Sequence, residues 1–134
     1  EDFALTHRGG SLGKRLLSSV KDEMKQNNLP FIDQNSIVQD VLVKMTEGRL
    51  GLALVGTNEE LKGVITDGDI RRALIDNKNF AELQAKDLMN KNPLTALESD
   101  NLQVAENRMR EAKVQCLIVK NLMNEVVGVI QIFE

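Results

Sequence analysis

Gly63-Val64-Ile65-Thr66-Asp67-Gly68-Asp69-Ile70 runs from a β-branched apolar pair, through a polar turn, into a helical pattern. Val64 and Ile65 have the branched side chains that suit a buried strand. Asp67, Gly68 and Asp69 bring turn and N-cap chemistry, and Ile70, Ala73 and Leu74 recur at helical spacing. A strand that feeds a helix N-terminus gathers a hydroxyl, carboxylates and free backbone N–H groups, a combination that holds phosphate and ribose. Taken alone, the stretch reads first as a helix capped by Asp67, with no ligand implied. A second, imperfect copy alters that balance.

From Val20 onward the sequence repeats. Val20-Lys21-Asp22-Glu23-Met24 matches Ala85-Lys86-Asp87-Leu88-Met89, 65 positions on, and Leu29-Pro30 pairs with Asn92-Pro93. Ser36 opens a helical pattern with Val38, Val41, Leu42 and Met45 on one face; its counterpart begins near Ser99 and carries Leu102, Ala105, Met109 and Ala112. Apolar runs follow, Leu52 to Val55 and Cys116 to Val119, each with a polar turn behind it. The copies converge on Gly63-Val64-Ile65 and Gly128-Val129-Ile130, again 65 apart. Each unit reads as β-α-β-β-α, an α+β fold, with the second unit reaching Glu134 where its last helix is due. Neither copy is long enough to cover both faces of its small sheet, so the two are expected to pack on each other. The expected divisions are 1–18, 19–79 and 80–134, with residues 77–84 as the connector.

Composition narrows the function classes. With 42% apolar residues but only four Phe and no Trp or Tyr, the core must be aliphatic. A net charge of −3 with interspersed signs argues against a protein that tracks nucleic-acid phosphates, which would show a basic stripe and stacking aromatics. No apolar run approaches the roughly 20 residues of a membrane span, and no signal-peptide pattern is present. The single cysteine, Cys116, sits in an apolar run, reads as a buried structural thiol and fits a reducing cytoplasm. Asp67-Gly68-Asp69 lacks the twelve-residue ligand spacing and closing Glu of a calcium loop, so no metal site is expected. Both chain ends look cut from something longer.

The tandem unit, closed by Gly-apolar-apolar-Thr-x-x-Asp, resembles the CBS-domain pair over residues 20–134. That resemblance implies two units packed by their sheets with pseudo-twofold symmetry. It also implies a module that senses nucleotides, regulates an attached protein and associates as a homodimer. The N-terminal stretch resembles the end of the sugar-isomerase domain in bacterial arabinose-5-phosphate isomerases. Asp2, Phe3, Ala4, His7, Gly9, Gly10, Leu12 and Gly13 stand at matching positions, while Arg8 and Lys14 replace the usual Pro and Arg. The chain is thus similar to the regulatory part of such an isomerase, whose parent is expected to be a homotetramer serving Kdo synthesis.

Site residues follow from the resemblance. Thr66 is expected to meet phosphate or ribose and Asp69 the ribose hydroxyls, an acceptor-only carboxylate being suited to a diol. Arg71 and Arg72 offer a phosphate clamp, with one of the two expected to face solvent. Phe31 and Ile32 are expected at the base pocket, though locally they read as a buried edge strand. Gln131 and Glu134 replace Thr and Asp in the second copy and imply a degraded second site. His7 matches an active-site histidine of the parent enzyme, but without its partners residues 1–134 alone are not expected to isomerise sugar phosphates. No cofactor is implied. The expected ligand is a nucleotide or nucleotide-sugar, CMP-Kdo foremost and adenine nucleotides next. The alternatives are a ligand-free assembly module and an adenine-nucleotide-sensing module of another protein.

Overall fold

The computed structural model describes residues 17–132. The chain enters through a one-turn helix, α1 (Val20–Glu23), whose N-cap Ser19 and Asp22 form a capping box. The first sheet comprises β1 (Phe31–Ile32), β2 (Leu52–Gly56) and β3 (Leu61–Thr66), with α2 (Val38–Gly48) crossing between β1 and β2. β1 runs parallel to β2, and β2 antiparallel to β3. Then come α3 (Asp67–Asp76), a 3-10 turn at Phe80–Glu82 and the one-turn helix α4 (Ala85–Leu88). The second sheet repeats the pattern with β4 (Thr95–Leu97), α5 (Leu102–Ala112), β5 (Cys116–Lys120) and β6 (Val126–Gln131). This is the expected α+β tandem.

The period-2 geometry of strands explains why both sheets are apolar on both faces. Ala53, Val55 and Ile65 point toward α2 and join Val38, Val41 and Met45. Leu52, Leu54 and Val64, one residue out of phase, point the other way and meet Ile118, Val126 and Val129 of the second sheet. Leu117, Val119 and Ile130 cover α5 through Leu102, Ala105 and Met109. The sheets therefore pack face to face, as neither copy alone could hide its second face. Two positions of the predicted helical stripes differ: Leu42 is 39% exposed, and Ala112 is also exposed. The stripes are narrower because each helix covers only a three-stranded sheet. The helices also start later than expected, α2 after Ile37 and α5 after Asn101, whose side chain accepts from the Val104 amide at 3.1 Å.

Packing crosses between the copies in a way the repeat did not reveal. Val20 of α1 and Met24 just after it lie in the core of the second sheet, with Leu117 and Met109. The amide of Lys25 donates to the Val129 carbonyl at 2.9 Å, and Val129 N–H returns a bond at 3.0 Å. The mirror arrangement places Ala85 and Leu88 of α4 in the core of the first sheet, where Asn90 and Val64 exchange bonds of 2.7 and 3.0 Å. Both repeated glycines lie under these crossings. A Cβ on Gly63 would stand 2.8 Å from the Asn90 carbonyl oxygen, and one on Gly128 would stand 2.6 Å from Met24 Sδ and 2.9 Å from the Lys25 carbonyl oxygen.

This yields a stability prediction. Gly63→Ala and Gly128→Ala should each lower urea-unfolding stability by about 1–3 kcal/mol through overpacking against backbone. Gly68→Ala, near only the flexible end of Arg72, should leave stability unchanged or raise it by up to about 1 kcal/mol, because Ala is the better helix former.

Candidate functional site

A cavity of about 780 Å³ opens where the N-terminus of α3 faces the start of β5 and the segment after α4. Its size suits a nucleotide-sized ligand. Thr66, Asp69, Arg71 and Arg72 all line it, as does Gln131 from β6. Asn90, Lys113, Gln115 and Cys116 add further polar groups, and Leu52, Val64 and Ile118 form aliphatic wall.

The strand-to-helix turn is built by a capping box. Thr66 remains extended (φ −113°, ψ 171°), so it, and not Asp67, is the N-cap; Asp67 is already the first helical residue. Asp69 Oδ2 accepts from the Thr66 amide at 2.9 Å and from the Thr66 hydroxyl at 3.1 Å. Its Oδ1 accepts from Arg72 Nη2 at 2.6 Å. Asp69 is largely buried, at 14% side-chain exposure, while Arg72 is 70% exposed. Asp69 is thus held rigidly, yet three donors leave it acceptor capacity, since an ionised carboxylate has about four lone-pair sites. The Thr66 hydroxyl spends its one proton on Asp69 and so acts as an acceptor in this state. Asp67 and Gly68, at the first two helical positions, carry amides that an intrahelical ladder leaves open, and both residues line the cavity.

Among the described residues the Arg71 side chain has no hydrogen-bond or ion-pair partner, which leaves its guanidinium available at the cavity wall. Lys113 ends α5 in the left-handed conformation (φ 61°) and lines the same cavity. Cys116 is half-buried, and its Sγ donates to the Leu50 carbonyl at 3.0 Å. Burial, with the Asp67 carboxylate as a smaller contribution, pushes its thiol up to about 11.

Other sequence-derived residues lie elsewhere. Phe31 packs into the core between the sheets and Ile32 into the core under α2; neither lines this cavity. Phe31 pairs with Leu54 as Thr95 pairs with Ile118, so the cavity's Pro93 and Leu94 are the structural counterparts of Leu29 and Pro30. Gln131, assigned by sequence to a separate degraded site, lines the cavity of Thr66. His7 and Glu134 lie outside the described residues. Asn90, Lys113 and Gln115 went unnoticed because they belong to the other copy in sequence. Only an aligned repeat folded back on itself would have put them beside Thr66.

Two sheets joined face to face, crossed leading segments and a cleft at a Thr-x-x-Asp turn define a tandem CBS module. The chain belongs to the CBS domain family, which matches residues 20–76 and 85–132. It is 49% identical over 131 residues to a probable arabinose 5-phosphate isomerase of Haemophilus influenzae, covering 97% of this chain and 39% of that protein. It is 37% identical over 134 residues to the arabinose 5-phosphate isomerase KpsF of Escherichia coli, covering 99% of this chain and 41% of that protein. The chain therefore spans about two fifths of the length of these curated relatives. Among solved structures it is similar to CBSX2 in complex with AMP, with a TM-score of 0.70 and 26% identity over 84% of this chain and 89% of that one. Among the described residues no helix is long and apolar enough to cross a membrane.

The raised thiol carries a prediction. At pH 8 a shift from 9.0 to about 11 lowers the thiolate fraction about a hundredfold, so iodoacetamide should modify Cys116 about two orders of magnitude more slowly in the folded chain than in urea. Comparable rates in the two states would contradict the burial argument.

Proposed function

We propose that this chain is the regulatory, ligand-sensing CBS module of an arabinose-5-phosphate isomerase, and that its cleft takes a nucleotide or nucleotide-sugar. The observation that carries this reading is the cleft itself. One cavity gathers an acceptor carboxylate, open amides at the start of α3 and an unpaired Arg71. Phosphate would meet the α3 amides and Arg71, a cation whose planar fork suits bidentate contact with an anion. The ribose diol would donate to the remaining acceptor capacity of Asp69. CMP-Kdo joins phosphate, ribose and a carboxylate, and it is the ligand we favour; AMP is the next choice, supported by the bound AMP of the similar CBSX2 structure. The isomerase context rests on the similar enzymes and on the sequence match at Asp2 to Gly13.

Assembly as a homodimer through this module belongs to the same reading. It is supported by Leu74 and Ile75 of α3, large apolar side chains left 58% and 82% exposed. A second reading, a module that assembles without ligand, draws on the capping box, which already occupies Thr66 and both oxygens of Asp69.

Calorimetry with CMP-Kdo, CMP, AMP and ATP distinguishes the two. A ligand at a hundred times its Kd should stabilise the chain by about 2.7 kcal/mol, read as a higher melting temperature. Heat and shift absent for all four at millimolar concentration would favour the assembly reading. Arg71→Ala should weaken nucleotide binding several-fold with an unchanged melting temperature, since an exposed, unpaired side chain contributes within about 0.5 kcal/mol to stability. Asp69→Ala should weaken it by about 1–3 kcal/mol and lower stability by about 1 kcal/mol through the lost cap.

A further inference from the structure

Contacts to phosphate and ribose do not draw on Gln131, a polar side chain of the same cleft. Gln131 closes β6 as Thr66 closes β3, pairing with Cys116 as Thr66 pairs with Leu52. Its half-buried side chain lines the same cavity as Asp69 and Arg72. Its Nε2 donates to the Leu50 carbonyl at 3.3 Å, beyond the usual range for such a bond. The same carbonyl accepts the Cys116 thiol at 3.0 Å.

That double acceptance gives the Leu50 carbonyl a second donor. The Leu50 side chain is buried at 6% exposure, and its neighbours Arg49 (φ 57°) and Gly51 (φ 72°) hold the left-handed region. A carbonyl with two donors retains one when the other leaves. Gln131 can therefore release Leu50 without leaving that carbonyl unpaired, the loss that makes such bonds costly to break. Cys116 remains a donor across the neutral range, since burial keeps it protonated.

A free carboxamide presents a donor and an acceptor side by side. That pair matches the adjacent acceptor and donor on a nucleobase edge, and neither a phosphate nor a ribose requires it. Leu52, Val64 and Ile118 supply apolar wall against which a flat ring can pack.

We infer that Gln131 reads the base of a nucleotide held in the Thr66–Asp69 cleft, swinging from the Leu50 carbonyl to the base edge while Cys116 keeps that carbonyl satisfied. This rests on the nucleotide-sensing reading of the cleft. It makes Gln131 a specificity-determining residue of the first site in place of a remnant of a second one.

The test is calorimetry of the 134-residue chain with AMP, CMP and ribose 5-phosphate, on the parent sequence and on Gln131→Leu, which keeps the volume and removes the amide. The readout is the ratio of nucleotide affinity to ribose 5-phosphate affinity. Gln131→Leu should shrink that ratio about tenfold, the worth of a good hydrogen bond, with ribose 5-phosphate affinity and melting temperature unchanged. Cys116→Ala should also weaken the nucleotide, because Gln131 is then the sole side-chain donor to Leu50; Cys116→Ser, which retains a donor, should not. An unchanged ratio in Gln131→Leu overturns the inference while leaving the sensing reading intact. Parallel loss of nucleotide and ribose 5-phosphate assigns Gln131 a structural role and overturns it too. If neither AMP nor CMP binds the parent chain, this inference falls, while the sensing reading falls only if CMP-Kdo and ATP fail as well.

Discussion

The structure depends on a reciprocal backbone crossing. Lys25 pairs with Val129 across Gly128, and Asn90 pairs with Val64 across Gly63, so each copy's leading segment completes the other copy's core. A side chain at either glycine would separate backbones that exchange two hydrogen bonds. The crossing binds the halves into one folding unit, because neither core is whole without residues from the other copy. Val20 and Met24 are buried with Met109, while Ala85 and Leu88 are buried with Val41.

The cleft is a product of the same geometry. Asn90 is carried over Val64 to the mouth of the cavity, and Pro93 and Leu94 follow it along the wall. The sheet-to-sheet contact brings the start of β5, with Cys116, to face the start of α3. A groove of this kind, between two copies, is asymmetric wherever the copies differ in sequence. Thr66 and Gln131 hold equivalent positions, yet one is tied into a cap through Asp69 and the other makes a long bond to Leu50.

Capping and recognition draw on the same chemistry, which is why Thr66 and Asp69 support both readings. A carboxylate at the third helical position interacts favourably with the helix N-terminus, and the same positive end attracts an anionic ligand. The capping box fixes the Asp69 rotamer in advance, so a ligand meets an acceptor that has little conformational freedom left to lose. Arg72, bonded to Asp69 Oδ1, is the competing donor at that oxygen, and Arg71 one residue earlier is not so engaged.

Much of the fold could be read from the chain. The repeat, the apolar run from Leu52 to Val55 and the helical spacing in Val38 to Met45 are all local patterns of the chain. The Thr66-to-Asp69 turn was legible for the same reason, although the sequence put the cap one residue late, at Asp67 where the structure has Thr66. Phe31 and Ile32 read locally as a buried edge strand, as the structure has them, while the base-pocket role came from the resemblance; strand alternation determines which residues share a face but not whether that face meets core or cleft. Gln131 was assigned to a site of its own by equivalence with Thr66, and equivalence in a repeat gives no distance between copies. The sequence by itself determined the repeat, the order of elements within each copy and the strand-to-helix turn at Thr66 to Asp69, all products of short-range sterics and hydrogen bonding. Only the tertiary structure decided which copy each leading segment completes, why the glycines are needed and which side chains share the cleft, because those follow from contacts between distant residues, such as Val64 with Asn90, Leu50 with Cys116 and Gln131, and Lys25 with Val129.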